Sequence, residues 1–133
     1  MKSVLIIDDS RAIRNLVKKC LHNIGATVAG EAEDGEEGIE MYRTLLPDIV
    51  LLDVTMPNKD GRQCLREIIE SHPHAYVVML SSITSPEVVS ECIALGARTF
   101  LNKTDFTDSS LLEAELRKCI ECPIAAKVSG GRQ

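Results

Sequence analysis

Five short apolar runs alternate along the chain with five segments whose apolar residues recur at three- and four-residue steps. Strand and helix periodicities are not interchangeable, so this alternation restricts the fold more than any other feature. The runs occupy residues 4–7, 27–32, 49–52, 77–81 and 99–101. Two of them, within "DIVLLD" and "YVVMLSS", are unbroken and rich in β-branched residues, as strands covered on both faces require. The run within "TVAGEAE" is interrupted by Gly30 and suits an edge position.

The intervening segments carry helix signals. Ile13, Leu16, Val17, Cys20 and Leu21 form the first apolar stripe, with Ser10 placed to cap it. Asp34 followed by Glu37 resembles a capping box for the second. The third begins near Gly61 and carries Leu65, Ile68 and Ile69. Ser85 and Pro86 open the fourth, at the cap and the first helical position. The fifth starts at Ser110 with Glu113 three residues on, runs along Leu112, Leu116 and Ile120, and ends at Pro123. Such alternation with short connections predicts an α/β fold: a doubly wound five-stranded parallel sheet with helices on both faces and right-handed crossovers.

A chain of 133 residues suits one domain, here residues 1–122, followed by a Gly-containing tail over 123–133. Aromatic residues are only 3%, so the core must be aliphatic. A net charge of −5 argues against nucleic acid as a direct partner. No apolar stretch has the length of a bilayer span, and "MKSVLIIDD" turns acidic too early for a signal peptide. A cytoplasmic location with reduced cysteines is therefore expected. Cys119 and Cys122 form a C-x-x-C, but no second Cys or His pair stands nearby, which favours ordinary helix-face cysteines over a zinc site.

Polar residues collect where strands end: Asp8 and Asp9 after the first, Asp53 after the third, Ser81 at the fourth and Lys103 after the fifth. In an open parallel sheet the carboxyl ends of the strands share one edge, and ligands bind there. Three carboxylates brought together repel, each close pair by on the order of 4 kcal/mol at an effective dielectric near 20. A cation must offset that. Mg²⁺ prefers hard oxygen ligands and accepts one or two carboxylates with water and phosphate, and Lys103 adds a further positive charge.

Taken together, "IIDDSRAIR", "LLDVTMPNKDG", "MLSS" and "FLNK" resemble the receiver domain of two-component response regulators over residues 2–122. The resemblance implies a flavodoxin-like (βα)5 sheet of strand order 2-1-3-4-5. It implies that Asp53 accepts a phosphoryl group from a sensor histidine kinase, as a carboxylate nucleophile forming an aspartyl phosphate. Asp9 would bind Mg²⁺ directly, Asp8 mostly through water, and the Thr55 carbonyl would complete the protein ligands. Ser81 would hydrogen-bond a phosphoryl oxygen, and Lys103 would pair with Asp53 or its phosphate. Ser81 and the aromatic position on the fifth strand, Phe100, would form the switch, remodelling the face made by the fourth helix, fifth strand and fifth helix.

One departure stands out. Thr104 follows the lysine where the family commonly has Pro, so a trans bond is expected at 103–104. Apolar Ile83, two beyond Ser81, is expected to slow loss of the phosphoryl group. The nearest look-alikes are stand-alone chemotaxis regulators, whose phosphorylated form binds the flagellar motor switch. A phosphorelay intermediate serving a histidine phosphotransfer protein, or a regulatory piece of a methylesterase or transcription factor, are the alternatives. A haloacid-dehalogenase phosphatase is excluded because its nucleophile follows the first strand in a D-x-D arrangement, whereas Asp8 and Asp9 are adjacent. Such a protein catalyses only its own phosphorylation and dephosphorylation and is not expected to be an enzyme.

Overall fold

The computed structural model describes residues 2–56, 59–82 and 85–121. Strands β1 (Ser3–Ile7), β2 (Thr27–Ala32), β3 (Ile49–Asp53), β4 (Val77–Ser81) and β5 (Thr99–Asn102) alternate with helices α1 (Arg11–Asn23), α2 (Gly35–Leu45), α3 (Gly61–Ser71), α4 (Pro86–Leu95) and α5 (Ser109–Glu121). All pairings are parallel, in the order β2-β1-β3-β4-β5. Each expected strand is present within a residue or two of its ends, and β2 lies at an edge. There the register slips between Val4 and Leu5, whose partners are Val28 and Gly30, so β2 bulges by one residue.

Strand alternation divides the core in two. Val4 and Ile6 of β1, Leu51 of β3 and Leu80 of β4 face a cluster completed by Val17, Cys20 and Leu21 of α1 and Leu112 and Leu116 of α5. Leu5, Ile7, Leu52 and Met79 face the opposite cluster, completed by Ile39 and Tyr42 of α2, Leu65 and Ile68 of α3 and Cys92 of α4. β3 and β4 are buried along their whole length, which is why both read as unbroken apolar runs.

The helix starts agree with the sequence in part. Ser10 Oγ accepts from the Ile13 N–H at 3.3 Å. Asp34 Oδ1 accepts from the Glu37 N–H at 2.9 Å, while Glu37 Oε1 reaches back one residue further, to the Glu33 N–H. Ser85 holds the cap position of α4, yet its hydroxyl donates to Glu87 Oε1 at 2.6 Å instead of capping a backbone N–H. The start of α5 is corrected: the helix begins at Ser109, and Asp108, not Ser110, accepts from the Ser110 and Leu111 N–H groups at 2.9 and 3.2 Å. A short 3₁₀ helix, Lys103–Thr107, precedes it. No peptide bond among the described residues is cis, that between Lys103 and Thr104 included. Pro57, Ile83, Cys122, Pro123 and the tail over 123–133 lie outside the described residues. No helix of the described residues is long and apolar enough to cross a membrane.

Candidate functional site

Four polar or charged side chains are buried in the described structure, and three of them, Asp8, Asp53 and Ser81, sit at strand ends on the carboxyl edge of the sheet. Asp8 follows β1 and is 0% exposed; Asp53 ends β3 and is 4% exposed. Asp9 projects into solvent beside them. One oxygen from each of Asp8, Asp9 and Asp53 lies within 4.8 Å of the other two. Ser81 ends β4, where it pairs in register with Asn102 of β5, one step beyond the pairing of Asp53 with Leu80.

Lys103 follows β5 and bridges the two buried acids. Its ammonium is 2.7 Å from Asp8 Oδ2 and 3.1 Å from Asp53 Oδ1. The buried Asp8 Oδ2 is thus held by the Lys103 ammonium. The other Asp8 oxygen accepts from the Ser10 N–H at 2.8 Å. Asp53 Oδ1 also receives the Thr55 N–H, at 3.4 Å. The chain turns close behind Asp53: a Cβ at Gly61 would overlap the Asp53 carbonyl oxygen, and the Gly61 N–H donates to Val54 O at 2.8 Å. Gly61 is required by that close approach.

Burial and the neighbouring Asp8 charge push the Asp53 carboxyl up to about 6, with Lys103 opposing them. Burial pulls Lys103 down, but the contacts with Asp8 and the charge of Asp53 outweigh it and leave the ammonium raised. Three carboxylates against one ammonium leave an excess of negative charge on hard oxygen donors. That donor set fits a small divalent cation such as Mg²⁺, with Asp9 and Asp53 the freer ligands and Asp8 already engaged by Ser10 and Lys103.

A model of the response regulator receiver domain matches residues 4–115. The chain belongs to that family. The receiver is 39% identical to the chemotaxis protein CheY of Thermotoga maritima over 85% of its own length and 93% of that protein's. It is 36% identical to the protein-glutamate methylesterase/protein-glutamine glutaminase of Bacillus licheniformis over 99% of its length but only 36% of that protein's. Its fold matches a chain of the CheX–CheY–BeF3–Mg complex from Borrelia burgdorferi with a TM-score of 0.83, at 32% identity, covering 92% of this chain and 89% of that one. The strand order expected from the resemblance is the one observed.

The structure thus brings Asp8, Asp9, Asp53 and Lys103 of the receiver together, with Ser81 and Thr55 beside them. Phe100 is elsewhere. It pairs with Met79, is half-buried and packs on the core cluster under α4. Ile83 and Cys122 lie outside the described residues, and among those described the three aspartates are the one group of ligands able to hold a metal ion. Arg14 escaped the sequence reading. It is 7% exposed and donates from Nη1 to the Asp8 carbonyl at 2.7 Å. Its signal was present, since Arg14 falls three residues before Val17 on the buried stripe of α1.

Proposed function

We propose that this receiver is a phosphorylation-dependent signalling switch in which Asp53 takes a phosphoryl group from the phosphohistidine of a sensor histidine kinase in the cytoplasm. An Asp53 carboxylate oxygen forms the new O–P bond as the N–P bond breaks, and the electron pair of that bond returns to the imidazole. Asp9 and Asp53, with the Thr55 carbonyl, would hold Mg²⁺ directly and Asp8 mostly through water. When bound, the ion supplies positive charge against the transferring phosphoryl oxygens. Lys103, already bridging Asp8 and Asp53, stays beside the acceptor oxygen and offsets the charge that arrives. Ser81, at the end of the adjacent strand, would donate to a phosphoryl oxygen. Phe100, half-buried against the core cluster that includes Cys92 of α4, would provide a ring whose packing responds as that edge rearranges.

The observation that carries this reading is the meeting of three aspartates within 4.8 Å around a lysine that touches two of them. The phosphorylated form then binds a downstream protein. Likeness to CheY favours a chemotaxis target such as the flagellar motor switch, and a histidine phosphotransfer protein would make the same surface a relay step. The chain turns over no free metabolite in this role. Alignment of nearly the whole chain with one part of a methylesterase favours a second reading, a regulatory piece of a longer output protein. The genomic reading frame separates the two. Mixing the protein with acetyl phosphate and Mg²⁺ tests the reading: intact-mass spectrometry is expected to show one added phosphoryl group, absent from Asp53→Asn. Equal uptake by that variant overturns it.

A further inference from the structure

At Asp8 the main chain leaves the sheet. Its N–H still donates to Ala32 O of β2 at 3.0 Å, but β1 and its pairing with β3 end at Ile7. The Asp8 carbonyl lies past that last pair, in a residue with no exposed surface, and a buried carbonyl needs a donor. The donor is Arg14 of α1, whose Nη1 reaches the oxygen at 2.7 Å. Arg14 is itself clamped. Its Nε donates to Glu31 Oε1 of β2 at 2.8 Å, and the Lys18 ammonium occupies Glu31 Oε2 at 2.6 Å. These partners hold the Glu31 carboxyl below its usual range, Lys18 first and Arg14 second. A planar guanidinium fixed at Nε has little freedom left at Nη1.

The Asp8 carbonyl belongs to the peptide plane joining Asp8 to Asp9. Whatever holds that oxygen fixes the rotation of the plane, and with it the directions in which both carboxylates leave the chain. We propose that Arg14 is a positioning residue of the acidic cluster, holding the Asp8–Asp9 peptide in the orientation that a divalent cation needs, while Glu31 and Lys18 hold Arg14. This rests on reading Asp8 and Asp9 as cation ligands.

The sign of the effect separates positioning from the alternatives. If Arg14 acted through charge, its removal would tighten cation binding, because a positive group near the site is lost. If it served only the stability of the fold, removal would lower the melting temperature and leave the affinity of the folded protein unchanged. Positioning predicts weaker binding in a fully folded variant.

Isothermal titration calorimetry with Mg²⁺ on wild type, Arg14→Met, Arg14→Lys and Arg11→Met tests this, at a temperature where circular dichroism shows each protein folded. Arg14→Met is expected to weaken Mg²⁺ binding by about tenfold or more, the usual consequence of losing an outer-shell partner. Arg14→Lys keeps the charge but loses the fork, and is expected to weaken it by at least about threefold. Exposed Arg11, which lines the same cavity as Arg14 and Glu31, controls for charge, and Arg11→Met should bind Mg²⁺ as wild type or tighter. Amide shifts of Asp8 and Asp9 should move in both Arg14 variants before any Mg²⁺ is added. Wild-type or tighter affinity in Arg14→Met overturns the proposal. If that variant does not fold, unchanged affinity in Arg14→Lys overturns it. Absence of Mg²⁺ binding by the wild type sinks the cation reading itself, a separate result.

Discussion

Asp8 stands between two ion clusters that share it and differ in balance. Behind it, its carbonyl meets Arg14, and Arg14 with Lys18 surrounds the one carboxylate of Glu31. In front of it, its carboxylate joins those of Asp9 and Asp53 around the one ammonium of Lys103. The rear cluster has more cation than anion, and its one buried charge, the Arg14 guanidinium, is satisfied by hydrogen bonds within the chain. The front cluster has more anion than cation, with one ammonium shared between the buried carboxylates of Asp8 and Asp53. Such imbalance raises the free energy of the folded chain unless something outside the chain supplies charge. The difference teaches that one residue can be held rigidly by its backbone while its side chain joins a cluster short of positive charge, and that the short side is where a cation is expected.

The largest expected effect contrasts the cations of the two clusters. Lys103→Met should slow phosphoryl uptake from acetyl phosphate by about 10²-fold to 10³-fold, since it removes a preorganised charge at the acceptor oxygen. It should leave Mg²⁺ affinity unchanged or higher, because it deletes a competing cation. Arg14→Met should do the opposite to Mg²⁺. Quantifying phosphorylation by intact mass and Mg²⁺ by calorimetry gives both readouts, and a loss of Mg²⁺ affinity in Lys103→Met matching that of Arg14→Met would abolish the distinction between the clusters.

Next comes the rigidity behind the front cluster. Asp53 is held from below by the close passage of Gly61, and Gly61→Ala drives a methyl group onto the Asp53 carbonyl oxygen. Backbone has little room to yield here, since the Val54 N–H donates to Leu80 O of β4 and the Val54 carbonyl accepts from Gly61. A loss of about 2–3 kcal/mol in urea unfolding is expected, together with weaker Mg²⁺ binding. Unchanged stability would show that the β3–α3 turn is softer than its contacts imply.

Much of this arrangement was legible in the sequence, for a physical reason. Strand ends in a parallel sheet share one edge, so Asp8, Asp9, Asp53, Ser81 and Lys103 could be placed together from element order alone. Caps built from neighbouring residues, Ser10 and Asp34, were legible because their partners lie three residues away. Asp108 displaced Ser110 at α5 because its carboxylate accepts from two N–H groups, a choice that spacing between two hydrophilic neighbours does not settle. The 3₁₀ helix over Lys103–Thr107 is too short to leave a periodicity. Arg14 was hidden for a deeper reason: a buried arginine is tolerable only with its partners, and those are supplied by β2 and the end of β1 through tertiary contact.

A third contrast concerns protonation. Asp53 is pushed up to about 6, above the 3.8 of an ordinary aspartate, so the folded chain holds its proton more tightly than the unfolded chain does. A raised carboxyl destabilises the fold as it ionises: the penalty is absent below the unfolded value, grows between the two values and is complete above the folded one. Without metal, Asp53→Asn should therefore be more stable than wild type by about 1–2 kcal/mol near pH 8, after allowing for the lost Lys103 contact, and the gap should close towards pH 4. Urea unfolding in EDTA across that range measures it. Adding Mg²⁺ should shrink the gap from the high-pH side by stabilising the charged form. A gap independent of pH would assign the difference to packing and remove the argument that the front cluster is electrostatically incomplete.

The smallest effect tests whether burial, rather than the mere presence of ion pairs, is what separates the clusters from the rest of the surface. Arg62 of α3 lies 3.0 Å from Glu91 of α4 and 3.3 Å from Asp60, a triad of ion pairs with no buried member. The Arg62 side chain is 37% exposed where that of Arg14 is 8%, so water solvates both signs of this triad nearly as well as they solvate each other. Asp60 keeps its capping role without Arg62, since its Oδ1 accepts from the Arg62 and Gln63 backbone N–H groups at 2.8 and 3.3 Å. Arg62→Met should therefore cost no more than about 0.5 kcal/mol in urea unfolding, and that cost should vanish in about 1 M NaCl, where screening acts over roughly 3 Å. Arg14→Met, whose guanidinium is shielded, should keep its effect on Mg²⁺ affinity relative to wild type in the same salt. If high salt erased both effects alike, the rear cluster would be a surface network after all, and its hold on Asp8 would have to come from elsewhere.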